Sequence, residues 1–187
     1  QGEVLQMRGT AAPGLARYFS AGRGITMPEP GRSQAPYLVT TEAEARNAVR
    51  EQAALKVDII KIWVDDRGGM YKKLPPELYG PIIDEAHKNN LRVTSHNFAL
   101  VDAKGLLRAG LDAFAHIPSR DLDLDDEAMT LFRQRPNVVV VPNLPGRDTP
   151  AFAVQARNLA KLAAAGVKIA IGTDGNTPDG PHQEKIG

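Results

Sequence analysis

A parallel α/β sheet is the fold class this sequence predicts, and three observations predict it. Short apolar runs rich in β-branched residues recur along the chain, each separated from the next by a stretch of helical periodicity. The connections between these runs are short. Glycine and proline, at 17 and 14 residues, are frequent enough for a fold with many tight junctions. Strand–helix alternation of this kind is the pattern of parallel strands joined by helical crossovers.

The elements follow in chain order. Residues 16 to 26 are expected to hold a first strand around Tyr18-Phe19-Ser20, and residues 27 to 40, rich in proline and glycine, read as loop. Thr41-Glu-Ala-Glu44 is a capping-box pattern that opens a helix with Ala45, Val49 and Ala53 on one face. Residues 57 to 64, Val-Asp-Ile-Ile-Lys-Ile-Trp-Val, form a nearly continuous apolar run, as in strands buried on both faces. Pro75-Pro76-Glu77 opens the next helix, where a proline's missing N–H is no loss; Leu78, Ile82, Ile83 and Ala86 form its apolar stripe. Asn89-Asn90 ends it. Residues 91 to 95 then read as strand, 101 to 109 as helix closed by Gly110, and 111 to 115 as strand. Residues 125 to 134 are helical, 137 to 141 strand, 152 to 165 helix closed by Gly166, and 167 to 171 the last strand; the tail after Thr173 reads as loop.

Composition narrows the class. The 187 residues fit one domain, and 42% hydrophobic residues suffice for a core. Twenty-three Lys+Arg against 22 Asp+Glu give a net charge of +1, scattered rather than striped, so no nucleic-acid footprint is present. The absence of cysteine excludes disulfides, thiolate catalysis and cysteine-ligated metal. No apolar run approaches the roughly 20 residues of a membrane span. A homo-oligomer is compatible with these features, and the partner they suit is a small molecule.

Four ionisable residues stand out by where they fall. Lys61 lies within Ile-Ile-Lys-Ile-Trp, His96 ends Arg-Val-Thr-Ser-His, His116 ends Asp-Ala-Phe-Ala-His, and Asp174 ends Ile-Ala-Ile-Gly-Thr-Asp. The carboxyl ends of strands are where active sites of parallel α/β folds are built. A single strand-end histidine is more often a hydrogen-bonded core residue, and a lone strand lysine can snorkel to the rim. Four such groups from four strands, in a chain with only four histidines, point instead to a divalent-metal site with nitrogen and oxygen ligands.

These stretches, together with Ala109-Gly-Leu-Asp-Ala-Phe-Ala-His116 and Gly166-Val-Lys-Ile-Ala-Ile-Gly-Thr-Asp174, resemble the metal-dependent amidohydrolase superfamily. The resemblance is to its binuclear branch, related to imidazolonepropionases and metal-dependent dipeptidases, and it covers residues 57 to 174. It implies a (β/α)₈ barrel of amidohydrolase type, incomplete in this chain and holding about strands three to eight, as a single domain over residues 1–187. It implies that Lys61 is a carboxylated lysine bridging two divalent ions, zinc in kind. His96, His116 and Asp174 are then the metal ligands from the fifth, sixth and eighth strands, with Asp174 also the catalytic acid–base. The implied activity is hydrolysis of an amide or other C–N bond, in a dipeptide or acyl-amino acid, by metal-bound hydroxide. The apolar flanks of Lys61 favour the neutral amine that can take up CO₂, and neutral imidazoles suit zinc-like ions.

The family's first-strand His-X-His pair does not occur, since the histidines are at 87, 96, 116 and 182. Neither do its first two strands or its small β-sandwich. A cyclic-amide hydrolase with the same site, and a non-catalytic small-molecule-binding α/β domain, are the alternative readings. His87 reads as a solvated residue near a helix end, where a cation meets the dipole favourably. His182 falls in the tail. Gly68-Gly69 and Tyr71 are loop or pocket residues, and residues 121 to 127 are a helix start rather than a calcium loop.

Overall fold

The computed structural model of the chain describes residues 13–14, 17–32, 34–172 and 174. Among them, strands and helices follow as β1 (Ile25–Thr26), β2 (Tyr37–Leu38), α1 (Glu42–Ala54), β3 (Ile60–Val64), α2 (Pro76–Lys88) and β4 (Val93–Asn97). Then come α3 (Leu100–Ala109), β5 (Ala113–Phe114), α4 (Asp126–Gln134), β6 (Val139–Val140), α5 (Pro150–Ala164) and β7 (Lys168–Ile169). The seven-stranded sheet has the order β2-β1-β3-β4-β5-β6-β7. β1 pairs in parallel with β2 and β3, β5 with β6, and β6 with β7. The strands expected between residues 57 and 171 therefore lie in chain order. Consecutive βα units that pack beside one another give this order.

The chain separates into two compact units, Gln1–His96 with Gly105–Asp112, and Asn97–Lys104 with Ala113–Gly187. In the first, α1 starts as its sequence dictates. Thr41 accepts a hydrogen bond from the Glu44 N–H, and Glu44 accepts one from the Thr41 N–H, which satisfies two otherwise orphaned donors. Such a cap is worth about 1 kcal/mol. α2 begins with Pro76 at its first turn and buries Leu78, Ile82, Ile83 and Ala86, the stripe expected from its spacing. Ile25, Ile60, Ile62 and Leu74 join this unit's core, all at 0% exposure. In the second unit Phe114 and Phe132 pack with ring centroids 5.7 Å apart. Asp125 caps α4 by accepting from the Ala128 N–H.

Three expectations are corrected. The first strand lies at Ile25–Thr26 and not around Tyr18-Phe19-Ser20. Tyr18 and Phe19 are 39% and 63% exposed, so their β propensity is not backed by burial. Second, residues 27 to 40 are not all loop, because Tyr37–Leu38 adds to the sheet edge. The Tyr37 N–H donates to Gly24 O and the Val39 N–H to Thr26 O, while the Arg23 guanidinium stacks 4.1 Å over the Tyr37 ring. A two-residue strand owes its existence to its neighbour and leaves no periodic signal. Third, the run at 57 to 64 is not buried on both faces. Ile60, Ile62 and Val64 are buried, whereas Lys61 and Trp63, on the opposite face, are only partly so. The apolar continuity expected of a doubly covered strand is broken by the face that carries the lysine.

Candidate active site

In the first unit β3 sets the site by simple alternation. Lys61, Trp63 and Asp65 share one face of the strand path, two residues apart. The Lys61 Nζ stands 5.5 Å from the centroid of the Trp63 ring. A side chain at Gly24 would run into that ring, so the glycine is what lets the tryptophan lie against the chain before β1. β4 extends to Asn97, so His96 sits inside the strand rather than past its end, on its partly buried face with Thr94.

His96 is held by Asp65, its Nε2 lying 3.1 Å from Asp65 Oδ2. Asp65 also accepts from the Arg67 backbone N–H at 3.0 Å and from Arg67 Nη1 at 2.8 Å. Burial opposes ionisation of Asp65. The backbone donor, the His96 hydrogen bond and the charges of Arg67 and His96 outweigh it and hold the carboxyl below its ordinary range. A carboxylate that fixes the tautomer of a ligand histidine is a recurring feature of metal sites. If Nε2 carries the proton toward Asp65, Nδ1 is the ring nitrogen with a lone pair.

In the second unit His116 follows β5 and is nearly buried. Its ring is tilted at 49° against Phe98, with centroids 5.2 Å apart. The loops around it are pinned by backbone acceptors: Asn97 Nδ2 donates to Pro118 O, Asn143 Nδ2 to Ala115 O, and the Ile117 N–H to Pro142 O. Asp174 brings Oδ2 to 4.0 Å from His116 Nε2, its side chain 60% exposed against 10% for the histidine. Gly172 admits this approach, since a Cβ there would meet Val141 and stand 2.8 Å from Asn143 Oδ1. That Asn143 oxygen is buried without a hydrogen-bond partner.

Thus the structure brings Asp174 to His116 in the second unit, and in the first it places Lys61 and His96 on the face that also carries Asp65. Their donor types fit a divalent ion of borderline softness, with imidazole nitrogen, carboxylate oxygen and a lysine whose strand neighbours are fully buried isoleucines. No group of three His, Asp or Glu side chains spaced to hold a metal occurs among the described residues. Asp65, Phe98 and Asn143 were not singled out from the sequence as site residues. Alternation from Lys61 could have found Asp65, but the others carry no local signal.

The remaining candidates have ordinary roles. His87 is 42% exposed and lies 2.9 Å from Asp112. The Gly68 and Gly69 N–H groups bond Asp66 Oδ1 in a tight turn, and the Tyr71 hydroxyl donates to Pro30 O. Residues 121 to 127 lead into α4 as expected. His182 lies outside the described residues. No described helix is long and apolar enough to cross a membrane.

No protein-family model matches the chain. Uncharacterised proteins of Mycobacterium tuberculosis strain H37Rv and of Mycobacterium bovis are each 30% identical to it over 184 residues, covering 86% of the chain. The chain spans about half the length of these curated relatives, 48% in each case. Among solved structures, an Xaa-Pro dipeptidase with bound methionine in its active site superposes with a TM-score of 0.69 at 23% identity, over 92% of this chain and 52% of that one. A prolidase complexed with N-methylphosphonate-L-proline gives 0.70 at 20% identity, over 92% and 52% of the two chains. Ochratoxinase of A. niger gives 0.65 at 18% identity, over 84% and 46%. Strand order, helical crossovers and these likenesses agree: the chain has the fold of part of a (β/α)₈ barrel, similar to the fold of the Xaa-Pro dipeptidase and the prolidase.

Proposed function

We propose that the chain belongs to a single barrel domain of a metal-dependent hydrolase that cleaves an amide or other C–N bond, with a dipeptide or acyl-amino acid as substrate. The observation that carries this reading is the approach of Asp174 to His116, two strand-end groups 58 residues apart in sequence, in a fold shared with amidohydrolases. Lys61, as its carbamate, His96, His116 and Asp174 would hold the metal, two zinc ions being what the family resemblance implies. When bound, such an ion polarises the scissile carbonyl and acidifies water.

The chain's own residues supply the rest. The neutral amine of Lys61 can form an N–CO₂⁻ group from CO₂ with loss of one proton. Asp65 orients His96 and fixes which of its nitrogens carries hydrogen. Phe98 and the pinned loops hold His116 in a dry setting. The exposed Asp174 carboxylate can take a proton from water at Oδ2 and return it to the departing nitrogen.

The test is hydrolysis of a panel of dipeptides and N-acyl amino acids by the protein carrying this chain, before and after chelation. Turnover that is lost with chelator, returns with zinc and is absent in His116→Ala is the expected result. Turnover indifferent to chelation and to the substitution would contradict the metal-dependent reading.

A further inference from the structure

Beside β3 the first unit forms an open pocket of about 310 Å³, at the carboxyl ends of β1, β2 and β3. Thr26, Glu29, Arg32, Leu38, Trp63 and Arg67 line it. Two guanidiniums thus face one carboxylate. Glu29, 7% exposed, takes Arg32 Nε at 2.6 Å. Arg67 Nε lies 3.4 Å from Glu29 Oε1 and is buried without a hydrogen bond, while its Nη1 is committed to Asp65. Asp65 divides its charge between Arg67 and His96.

A guanidinium carries several N–H donors and no acceptor, so this lining holds more donor capacity than Glu29 and Asp65 use. An orphaned buried donor is costly and calls for an acceptor. The remaining wall is apolar, with the Trp63 ring and Leu38 side by side with the charged one. A small organic acid with a hydrocarbon body matches both halves. A cation would meet two arginines.

We propose that this pocket binds the free carboxylate of the substrate, an acyl-amino acid or dipeptide with an apolar side chain. Arg67 and Arg32 hold the carboxylate, and Trp63 and Leu38 flank the side chain. This rests on the hydrolase reading above for its substrate class, but the binding can be measured apart from catalysis.

Trp63 lines the pocket, and the part of the fluorescence change that is lost in Trp63→Phe reports on it. The probe is N-acetyl-L-leucine, titrated in the presence of chelator so that no turnover occurs, against N-acetyl-L-leucinamide and L-leucinamide. The expected result is a saturable change with the acid, and affinity lower by about ten- to a hundredfold for the neutral amide, the loss of a charge-assisted contact. Arg67→Gln should abolish most of that preference. Arg32→Gln, at a half-exposed position, is a second variant and should weaken binding of the acid alone.

Equal affinity for acid and neutral amide, tighter binding of the cationic L-leucinamide, or no response to any probe would each overturn the proposal. Acid-selective binding without hydrolysis in the protein carrying this chain would uphold the pocket and refute the hydrolase reading. Zinc-dependent hydrolysis with no preference for free carboxylate would do the reverse.

Discussion

The two strand histidines are held in opposite ways. His96, in the first unit, is anchored by a carboxylate that is itself anchored, in the order Arg67–Asp65–His96, with every side chain at most 21% exposed. His116, in the second, is positioned by packing against Phe98 and by loop hydrogen bonds, and its carboxylate neighbour stands 4.0 Å away and largely in solvent. The first arrangement is ionic and closed; the second is apolar around the ring and open at the carboxylate. An exposed acid loosely beside a histidine suits proton traffic with water, whereas a buried one suits orientation.

The sharpest break in this comparison is removal of each carboxylate. Asp65→Ala leaves Arg67 and His96 without their shared acceptor, and breaking a largely buried charge pair costs about 3 kcal/mol, the low end for such pairs. Urea unfolding should show it as a lower midpoint with unchanged slope. Next comes Phe98→Ala, which removes the ring tilted against His116 and should cost about 1 kcal/mol, within the range of aromatic pairs. Asp174→Asn should change stability by less than about 0.5 kcal/mol, as for other exposed sites, while abolishing turnover. If Asp174→Asn destabilised the chain as much as Asp65→Ala, the distinction between orienting and exchanging carboxylates would be lost.

The smallest effect is shared by both units and sharpens the contrast by supplying a common baseline. Hydrogen bonds from Lys88 and Arg46 hold the Asp84 carboxyl below its ordinary range in the first unit. In the second, the Lys104 ammonium and the Ala128 N–H do the same for Asp125. Both folded values lie below the unfolded value of about 3.9, so their stabilisation is complete above that pH and fades as pH falls through the lowered values. Carboxyl resonances should titrate with midpoints under about 3.9 at both positions. A midpoint at or above it at either would show that the ion pair is not formed in solution.

Much of the fold was legible because helix ends are written in local chemistry. Thr41 and Glu44, Pro76 and Asp125 each announce a helix start within four residues. Strands β3 to β7 were legible as apolar runs, though most are shorter than the runs that mark them. β1 and β2 were not, because two-residue strands depend on a partner that sequence does not name. Among the proposed site residues, His116 and Asp174 follow strands as their sequence positions suggest, whereas His96 and Lys61 lie inside β4 and β3. The partners that give them their surroundings could not be picked out by position. Asp65 meets His96 across 31 residues and Glu29 meets Arg67 across 38, separations at which charge pairing leaves no spacing rule. The burial alternation of β3 was also hidden, since isoleucines on one face mask the polar face between them.

Lys61 carries the metal-dependent reading most directly. In the protein carrying this chain, zinc content and turnover should be measured together for Lys61→Ala and Lys61→Arg. Both substitutions should lose metal and activity in parallel, because neither side chain can form a carbamate, and the guanidinium brings a permanent charge toward the cations. Short carboxylic acids added to the alanine variant should restore part of each by supplying the missing oxygens. Full zinc content and full turnover in Lys61→Arg would contradict the account and leave Lys61 a rim cation beside Trp63.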